Sequence, residues 1–83
     1  MANVTVYTKD ECPHCTNAKN LLLMKGHTFT EIKIGADILR EQFLETFPHV
    51  KTVPYIIMDG NPLGGFQQLK EYFENDKQFL TEG

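Results

Sequence analysis

The residues with the clearest chemical potential in this sequence are its two cysteines, which enclose a proline and a histidine in Cys12-Pro13-His14-Cys15. They follow a strand-like run and precede a helix-like segment, so they are predicted to lie at a helix N-terminus. The first N–H groups of a helix have no intrahelical partner and carry partial positive charge, which stabilises a thiolate. We therefore expect the pKa of the Cys12 thiol to fall below the free value of about 8.5. Cys12 is then the reactive nucleophile, and Cys15 lies one helical turn deeper, close enough to form a disulfide with it.

Three other interpretations of the cysteine pair are open at this point. Both could be buried structural residues, because a free cysteine behaves as a small hydrophobic side chain. A static disulfide is a second option, although so short a loop gives little stabilisation. A zinc site is the third, and it needs two more ligands, which only the histidines His14, His27 and His49 could add. The strand–CxxC–helix context favours a dithiol redox centre over all three.

Length and composition limit the class of protein. The 83 residues, with 41% hydrophobic and 23% charged side chains, predict one small globular domain spanning residues 1–83. The net charge of −3 and the absence of a basic cluster argue against nucleic-acid binding. Neither a signal peptide nor an apolar run long enough to span a bilayer is visible, so we expect a cytoplasmic protein with no membrane association. In that reducing compartment a CxxC pair is more often catalytic than structural.

The hydrophobic pattern predicts an α/β fold in the order βαβαββα. The predicted strands are Val4–Thr8, 29–34, Tyr55–Met58 and 61–63, and the predicted helices are 16–25 (with Pro13 at the first helical position), 35–47 and 66–80. The inward side chains are expected to be Ala18, Leu21, Leu22 and Met24, then Ile38, Leu39, Phe43, Leu44 and Phe47, then Leu69, Tyr72, Phe73 and Leu80. Asp59-Gly60 predicts a hairpin, and Pro62 restricts the last strand to a sheet edge. The result is a four-stranded mixed sheet flanked by three helices.

Four motifs in a fixed order resemble the glutaredoxins of the thioredoxin superfamily. They are Tyr7-Thr8-Lys9 with the cysteine motif, then Thr52-Val53-Pro54, then Gly64-Gly65, then Phe66-Gln67-Gln68-Leu69. The resemblance extends over essentially the whole chain. In its compact size and its last motif, the chain is especially similar to the small bacterial or bacteriophage members. It implies a thioredoxin-like fold and a glutathione-dependent thiol–disulfide oxidoreductase, with glutathione as co-substrate and no metal.

The resemblance also implies a glutathione site. Pro54 corresponds to the family's cis-proline, which leaves the backbone of Val53 facing Cys12. The implied glutathione-contacting residues are Lys9, Arg40, Thr52, Val53, Pro54, Gly65, Phe66 and Gln67. Lys9 and a residue of the second helix, either Arg40 or Gln42, would hold carboxylates, and the guanidinium of Arg40 matches a carboxylate better. Many relatives have an acidic residue that pairs with the glutathione amine where this chain has Gln67 and Gln68.

His14 and Pro13 are the residues expected to tune the redox centre. Most relatives of this type carry tyrosine at the position of His14. An imidazole beside Cys12 favours the thiolate, stabilises the reduced form and makes the disulfide more oxidising. The acidic residues Asp10 and Glu11 act in the opposite direction. We expect His27 and His49 to be ordinary surface residues.

The sequence therefore predicts a monomeric dithiol enzyme that reduces protein disulfides and glutathione mixed disulfides. Cys12 attacks the substrate and Cys15 resolves the intermediate. On family grounds the expected protein partner is a ribonucleotide reductase. Two alternatives are a hydrogen donor to ribonucleotide reductase that depends on thioredoxin reductase, and a carrier that holds an iron–sulfur cluster through Cys12 and glutathione.

Overall fold

The fold of this protein is a mixed β-sheet with helices on both faces. The computed structural model describes the backbone of residues 3–82 and the side chains of residues 3–74. Its elements, in chain order, are β1 (Val4–Thr8), α1 (Pro13–Met24), β2 (Thr30–Lys33), α2 (Arg40–Thr46), β3 (Tyr55–Met58), β4 (Asn61–Gly64) and α3 (Phe66–Glu82). The order βαβαββα is the predicted one. None of the helices within residues 3–82 is long and apolar enough to cross a membrane.

The strand arrangement of the sheet is β2-β1-β3-β4. β1 pairs in parallel with β2, where Val6 lies opposite Glu31, and antiparallel with β3, where Val6 lies opposite Ile56. The β3–β4 hairpin is antiparallel, and Pro62 lies in the edge strand, where its missing N–H costs no interior ladder bond. The parallel crossover and the antiparallel hairpin are both confirmed.

The two faces of the sheet bury separate apolar clusters. On one face α1 and α3 pack on the sheet around Val4, Val6, Ala18, Leu22, Ile56, Met58, Leu69 and Phe73. On the other face α2 contributes Phe43, which packs with Val50 and Tyr55 and with the ring of Tyr7. Because β1 and β3 alternate buried side chains between both clusters, the end of β1 is held firmly. The segment that follows β1 carries the cysteine motif.

Helix α1 begins at Pro13, with Cys12 as the residue before its first turn. Cys12 is the N-cap residue with extended backbone angles, and Pro13 takes the first helical position, where it needs no N–H partner. The helix ends at Met24, and Gly26 then adopts a positive φ of 80°, which glycine tolerates better than other residues. Ala18 and Leu22 are fully buried against the sheet.

Helix α2 is shorter than predicted and begins at Arg40 rather than at residue 35. The preceding residues form a turn, in which Ile34 and Ile38 make a β-bridge and the Gly35 N–H donates to the Ile38 carbonyl at 2.7 Å. The side chain of Asp37 accepts from the Lys33 N–H at 2.8 Å instead of capping a helix. Local side-chain bonding of this kind competes with helix formation, which explains the late start.

Several predicted core positions are wrong because the helical apolar stripes extend beyond the buried surface. Met24 is 81% exposed, Leu39 62%, Leu44 39% and Tyr72 42%. In contrast, Leu69 and Phe73 are buried as predicted. The predicted inward side chain of Leu80 lies outside the described residues.

Candidate active site

The cysteine motif lies at the N-terminus of α1, and its two sulfurs are joined in a disulfide. Cys12 is half-buried, whereas Cys15 is only 2% exposed. The backbone N–H of Cys15 donates to the Cys12 sulfur at 3.1 Å, so an amide of the first helical turn points at this atom. A thiolate formed at Cys12 on reduction meets the same donor and the positive end of the helix. This geometry suits Cys12 as the nucleophile and Cys15 as the sheltered partner.

The Val53–Pro54 peptide bond faces the disulfide and is cis. The carbonyl oxygen of Val53 lies 3.9 Å from the Cys12 sulfur. Pro54 is buried, and it leads directly into β3, which anchors this turn in the sheet. An extended main chain that brought its own sulfur to Cys12 would therefore run beside Val53.

The start of α3 forms a third wall of the site. Gly64 has a φ of 119°, which strains any residue with a side chain, and a Cβ atom there would also crowd the Gln68 side chain at 3.0 Å. The N–H of Gly65 donates to the Gln68 side-chain oxygen at 2.9 Å, which closes the helix N-terminus. This amide is consequently occupied. The amides of Phe66 and Gln67, in the first turn, precede the first intrahelical bond, which Leu69 donates, so they can meet a ligand carboxylate.

These three segments and α2 enclose one open groove of about 970 Å³, which we name the Cys12 groove. Its lining residues are Lys9, Glu11, Cys12, Pro13, His14, Ile34, Arg40, Phe43, Leu44, Val50, Lys51, Thr52, Val53, Pro54, Gly65, Phe66, Gln67 and Gln68. All eight residues predicted to contact glutathione line this groove together with Cys12. They come from four segments that are distant in sequence.

The structure separates the two candidates on the second helix. The side chain of Arg40 lines the Cys12 groove and is exposed. Gln42 does not line it; its side-chain oxygen accepts from the Leu39 N–H at 2.9 Å and closes the start of α2. Arg40 is therefore the α2 residue whose position suits a carboxylate ligand.

Sequence reasoning missed several residues of the groove. Lys51 adds a third cation beside Lys9 and Arg40, and Ile34, Phe43, Leu44 and Val50 form an apolar side. Lys51 stands immediately before the Thr52-Val53-Pro54 motif, a proximity that could have identified it. The apolar side depends on how α2 packs against the sheet, and no local sequence pattern predicts which of its residues face the groove.

His14 projects from the disulfide motif toward α3. Its ring stacks on Phe66 with the centroids 6.3 Å apart and the planes 29° from parallel. His27 is distant from the motif and is half-buried rather than an ordinary surface residue, because it stacks on Phe73 at 5.6 Å. His49 is exposed. The histidines are therefore not arranged as a common set of ligands around the cysteines.

A second group of polar residues lies behind the motif. Thr8, only 1% exposed, donates its hydroxyl to the Glu31 carboxylate at 2.7 Å. The same carboxylate oxygen accepts from the ammonium group of Lys19 at 3.1 Å. The Thr8 hydrogen bond and then the Lys19 hydrogen bond hold the pKa of Glu31 below its ordinary value of 4.5. This network ties α1 to the β1–β2 pair.

Comparison with known proteins agrees with this geometry. The glutaredoxin family model matches residues 4–63. Glutaredoxin 3 of Escherichia coli K12 is 39% identical over 69 residues, which cover 83% of each chain. The crystal structure of glutaredoxin 1 from Francisella tularensis complexed with cacodylate superposes with a TM-score of 0.78 at 28% identity, over 98% of this chain and 99% of that one. A buckwheat glutaredoxin–glutathione complex shares the fold with a TM-score of 0.76 at 22% identity, over 92% and 72% of the two chains.

A mixed sheet in the order β2-β1-β3-β4, with a disulfide at the N-terminus of α1 beside a cis-proline, defines a thioredoxin-like dithiol protein. Within that class the chain belongs to the glutaredoxin family. Its chemistry is thiol–disulfide oxidoreduction, carried out through a cysteine pair that forms a disulfide.

The contact between His14 and Phe66 makes the role of the imidazole testable. We predict that His14→Tyr raises the pKa of the Cys12 thiol and makes the disulfide less oxidising, by tens of millivolts, where about 30 mV corresponds to a tenfold change in equilibrium constant. The reason is that tyrosine offers no cationic charge to the thiolate, while its ring can still stack on Phe66. Equilibration of both proteins against a glutathione redox buffer measures the difference. A potential equal to or above that of the wild type would exclude His14 as the tuning residue.

The Glu31 network predicts an acid-sensitive contribution to stability. Because its pKa is lower in the folded than in the unfolded chain, ionised Glu31 stabilises the fold above about pH 4.5, and this contribution is lost as the pH falls through the folded pKa. We expect Glu31→Gln to lose less stability than the wild type between pH 6 and pH 3, by at most about 1 kcal/mol. Urea unfolding at both pH values measures this, with Glu45→Gln on exposed α2 as control. An equal loss in Glu31→Gln and wild type would contradict the prediction.

Proposed function

We propose that this protein is a glutathione-dependent thiol–disulfide oxidoreductase that reduces protein disulfides and glutathione mixed disulfides. One observation carries the proposal: Lys9, Arg40, Val53 and the start of α3 line the same groove as the Cys12 sulfur. Glutathione has a reactive thiol between two terminal carboxylates. The groove offers the Cys12 sulfur, the cations Lys9, Arg40 and Lys51, and the amides at the start of α3, with Glu11 as the one carboxylate among the described residues of its lining.

The binding mode follows from those positions. The glycyl carboxylate of glutathione lies near the cations Lys9 and Arg40, and Lys51 reinforces them. The cysteinyl main chain runs beside Val53 as an added strand, which brings its sulfur to Cys12. The γ-glutamyl carboxylate meets the amides of Phe66 and Gln67. The neutral Gln67 and Gln68 give no ion pair to the glutathione amine, so the amides contribute most at this end.

The reaction is a sequence of thiolate–disulfide exchanges. The Cys12 thiolate attacks the glutathionyl sulfur of a mixed disulfide, a Cys12–glutathione bond forms, and the substrate leaves as a thiolate that takes up a proton. A second glutathione thiolate attacks the glutathionyl sulfur, which releases glutathione disulfide and returns the electron pair to Cys12. With a protein disulfide as substrate, the Cys12 thiolate attacks one protein sulfur and the other protein sulfur leaves as a thiolate. Cys15 then attacks the Cys12 sulfur, so the Cys12–Cys15 bond forms, the bond from Cys12 to the protein breaks, and the reduced protein leaves. Two glutathione molecules return the pair to the dithiol and leave as glutathione disulfide, the first of them through a mixed disulfide on Cys12.

The proposal extends to the compartment, the oligomeric state and the protein partner. We expect the protein to act in the cytoplasm as a monomeric single domain over residues 1–83, without a metal ion. A ribonucleotide reductase is the expected protein partner on family grounds. The buckwheat relative of the same fold was crystallised with glutathione, which is in keeping with glutathione as the small-molecule partner.

Trapping the intermediate tests the proposal directly. Cys15→Ser incubated with glutathione disulfide is expected to gain one glutathione per chain on Cys12, as measured by intact mass and peptide mapping. Cys12→Ser is the matched control and should gain none under the same conditions, because Cys15 is buried. No adduct on Cys15→Ser, or equal adducts on both variants, would contradict the proposed function.

A further inference from the structure

A second pocket lies behind the cysteine motif, on the side away from α3. It has a volume of about 460 Å³ and a polar lining that includes both cysteines, Lys19 and Glu31; we name it the Lys19 pocket. Cys15 meets this pocket although it is only 2% exposed. Burial raises the pKa of a thiol, because a thiolate is poorly solvated there. The resolving step needs the thiolate of Cys15, and a cation held close to it would favour that thiolate.

Lys19 is placed to be that group. It follows Cys15 by four residues on α1, so the two side chains lie on one face of the helix, one turn apart. Long helical side chains lean toward the helix N-terminus, which directs the Lys19 stem toward Cys15. Its ammonium group is fixed by Glu31 at 3.1 Å, and Glu31 is fixed in turn by the buried Thr8 hydroxyl at 2.7 Å.

We propose that Lys19 promotes ionisation of the resolving cysteine Cys15, and that Glu31 and Thr8 are positioning residues that hold its ammonium group behind the motif. The inference rests on the proposed function for its place in the catalytic cycle. In the mixed disulfide, Cys15 releases its proton to solvent through the Lys19 pocket, and its thiolate attacks the Cys12 sulfur. The Cys12–Cys15 bond forms, the bond from Cys12 to the substrate sulfur breaks, and the substrate leaves with the electron pair as a thiolate.

Other charged groups also face this pocket, and Lys19 is the cation among them that lies on the same helix face as Cys15, one turn away. Besides Lys19 from α1, they are Lys9, Asp10 and Glu11 from the segment after β1, and Glu31 and Lys33 from β2. Lys33 is paired with Asp10 at 3.1 Å, so these two largely neutralise each other. Glu31 carries a negative charge that opposes ionisation of Cys15 while it positions Lys19. Removal of the lysine charge and removal of the carboxylate charge should consequently have opposite effects.

The test measures the pKa of Cys15 in a Cys12→Ser background, where Cys15 is the remaining thiol of the two cysteines. Ultraviolet thiolate absorbance is followed across pH, and glutathione is absent. Lys19→Met is expected to raise the pKa of Cys15 by about one unit. Glu31→Gln, which still accepts hydrogen bonds from Thr8 and Lys19, is expected to lower it. Lys70→Met removes an exposed charge on α3 outside both pockets and should leave it unchanged.

The opposite signs separate an electrostatic role from a structural one, because loss of packing alone would not move the pKa in both directions. Lys19→Arg keeps the positive charge and should leave the pKa of Cys15 at its value before the change. If Lys19→Met fails to fold, the pKa of Cys15 in Lys19→Arg and in Glu31→Gln tests the inference. The inference would be overturned if the pKa of Cys15 were unchanged in Lys19→Met, or if it shifted in the same direction in Lys19→Met and Glu31→Gln. An equal shift in Lys70→Met would also overturn it. Since no glutathione is used, failure here is distinct from failure of the proposed function.

Discussion

Cys12→Ser is expected to lower thiol–disulfide exchange with every substrate to the uncatalysed background, a loss of at least about a thousandfold. Cys12 is the N-cap of α1, it lines the Cys12 groove, and its sulfur accepts the N–H of Cys15. A serine hydroxyl at the same place is a poor nucleophile near neutral pH. The loss should appear equally with a glutathionylated peptide and with a protein disulfide.

Cys15→Ser should separate these two substrates. It is expected to keep most deglutathionylation activity, because glutathione itself can resolve a Cys12–glutathione bond. It should lose most reduction of protein disulfides, for which the buried Cys15 sulfur has to release the bound protein. Initial rates with both substrates measure the difference. Equal losses in Cys12→Ser and Cys15→Ser on the glutathionylated peptide would contradict the assigned roles.

The second large effect should follow from reversing the charge of the Cys12 groove. Lys9→Glu combined with Arg40→Glu is expected to raise the KM for glutathione about tenfold, and more than either change alone. Both residues are proposed to hold a carboxylate of the same small tripeptide, and both are exposed, so each contributes only modestly. Initial rates at varied glutathione concentration give the KM for the wild type and the three variants.

A charge-matched control distinguishes local contacts from the net charge of the molecule. Lys25→Glu with Lys70→Glu makes the same change in net charge at exposed sites that do not line the Cys12 groove, and it should leave the KM near the wild-type value. An unchanged KM in the Lys9 and Arg40 double variant would place the glutathione carboxylates elsewhere. An equal rise in the control would indicate long-range electrostatics instead of a contact.

The features predicted well from sequence are those with local causes. The helix start at Cys12-Pro13, the Asp59-Gly60 hairpin and the edge position of Pro62 each depend on a few adjacent residues. The cis bond before Pro54 was implied by family resemblance, and the structure has it. The same resemblance implies glutathione contacts from four distant segments; these residues line one groove, and their contact with glutathione stays a prediction.

The features that sequence reasoning missed have two kinds of cause. The late start of α2 has a local cause, the Ile34–Ile38 bridge and the Asp37 hydrogen bond, which a helical apolar pattern conceals. The exposure of Tyr72 reflects the limited width of the surface that α3 can cover. The Thr8–Glu31 hydrogen bond joins residues 23 positions apart, and neither residue carries a local signal for it.

Turnover of a glutathionylated peptide measures most directly whether glutathione supplies the electrons to Cys12. Glutathione with glutathione reductase and NADPH serves as the sole electron source in one assay, and thioredoxin reductase with NADPH replaces it in the other. We predict turnover in the first assay, with dependence on Cys12, and none above background in the second. Turnover with thioredoxin reductase but not with glutathione would contradict the account, and so would no turnover with either.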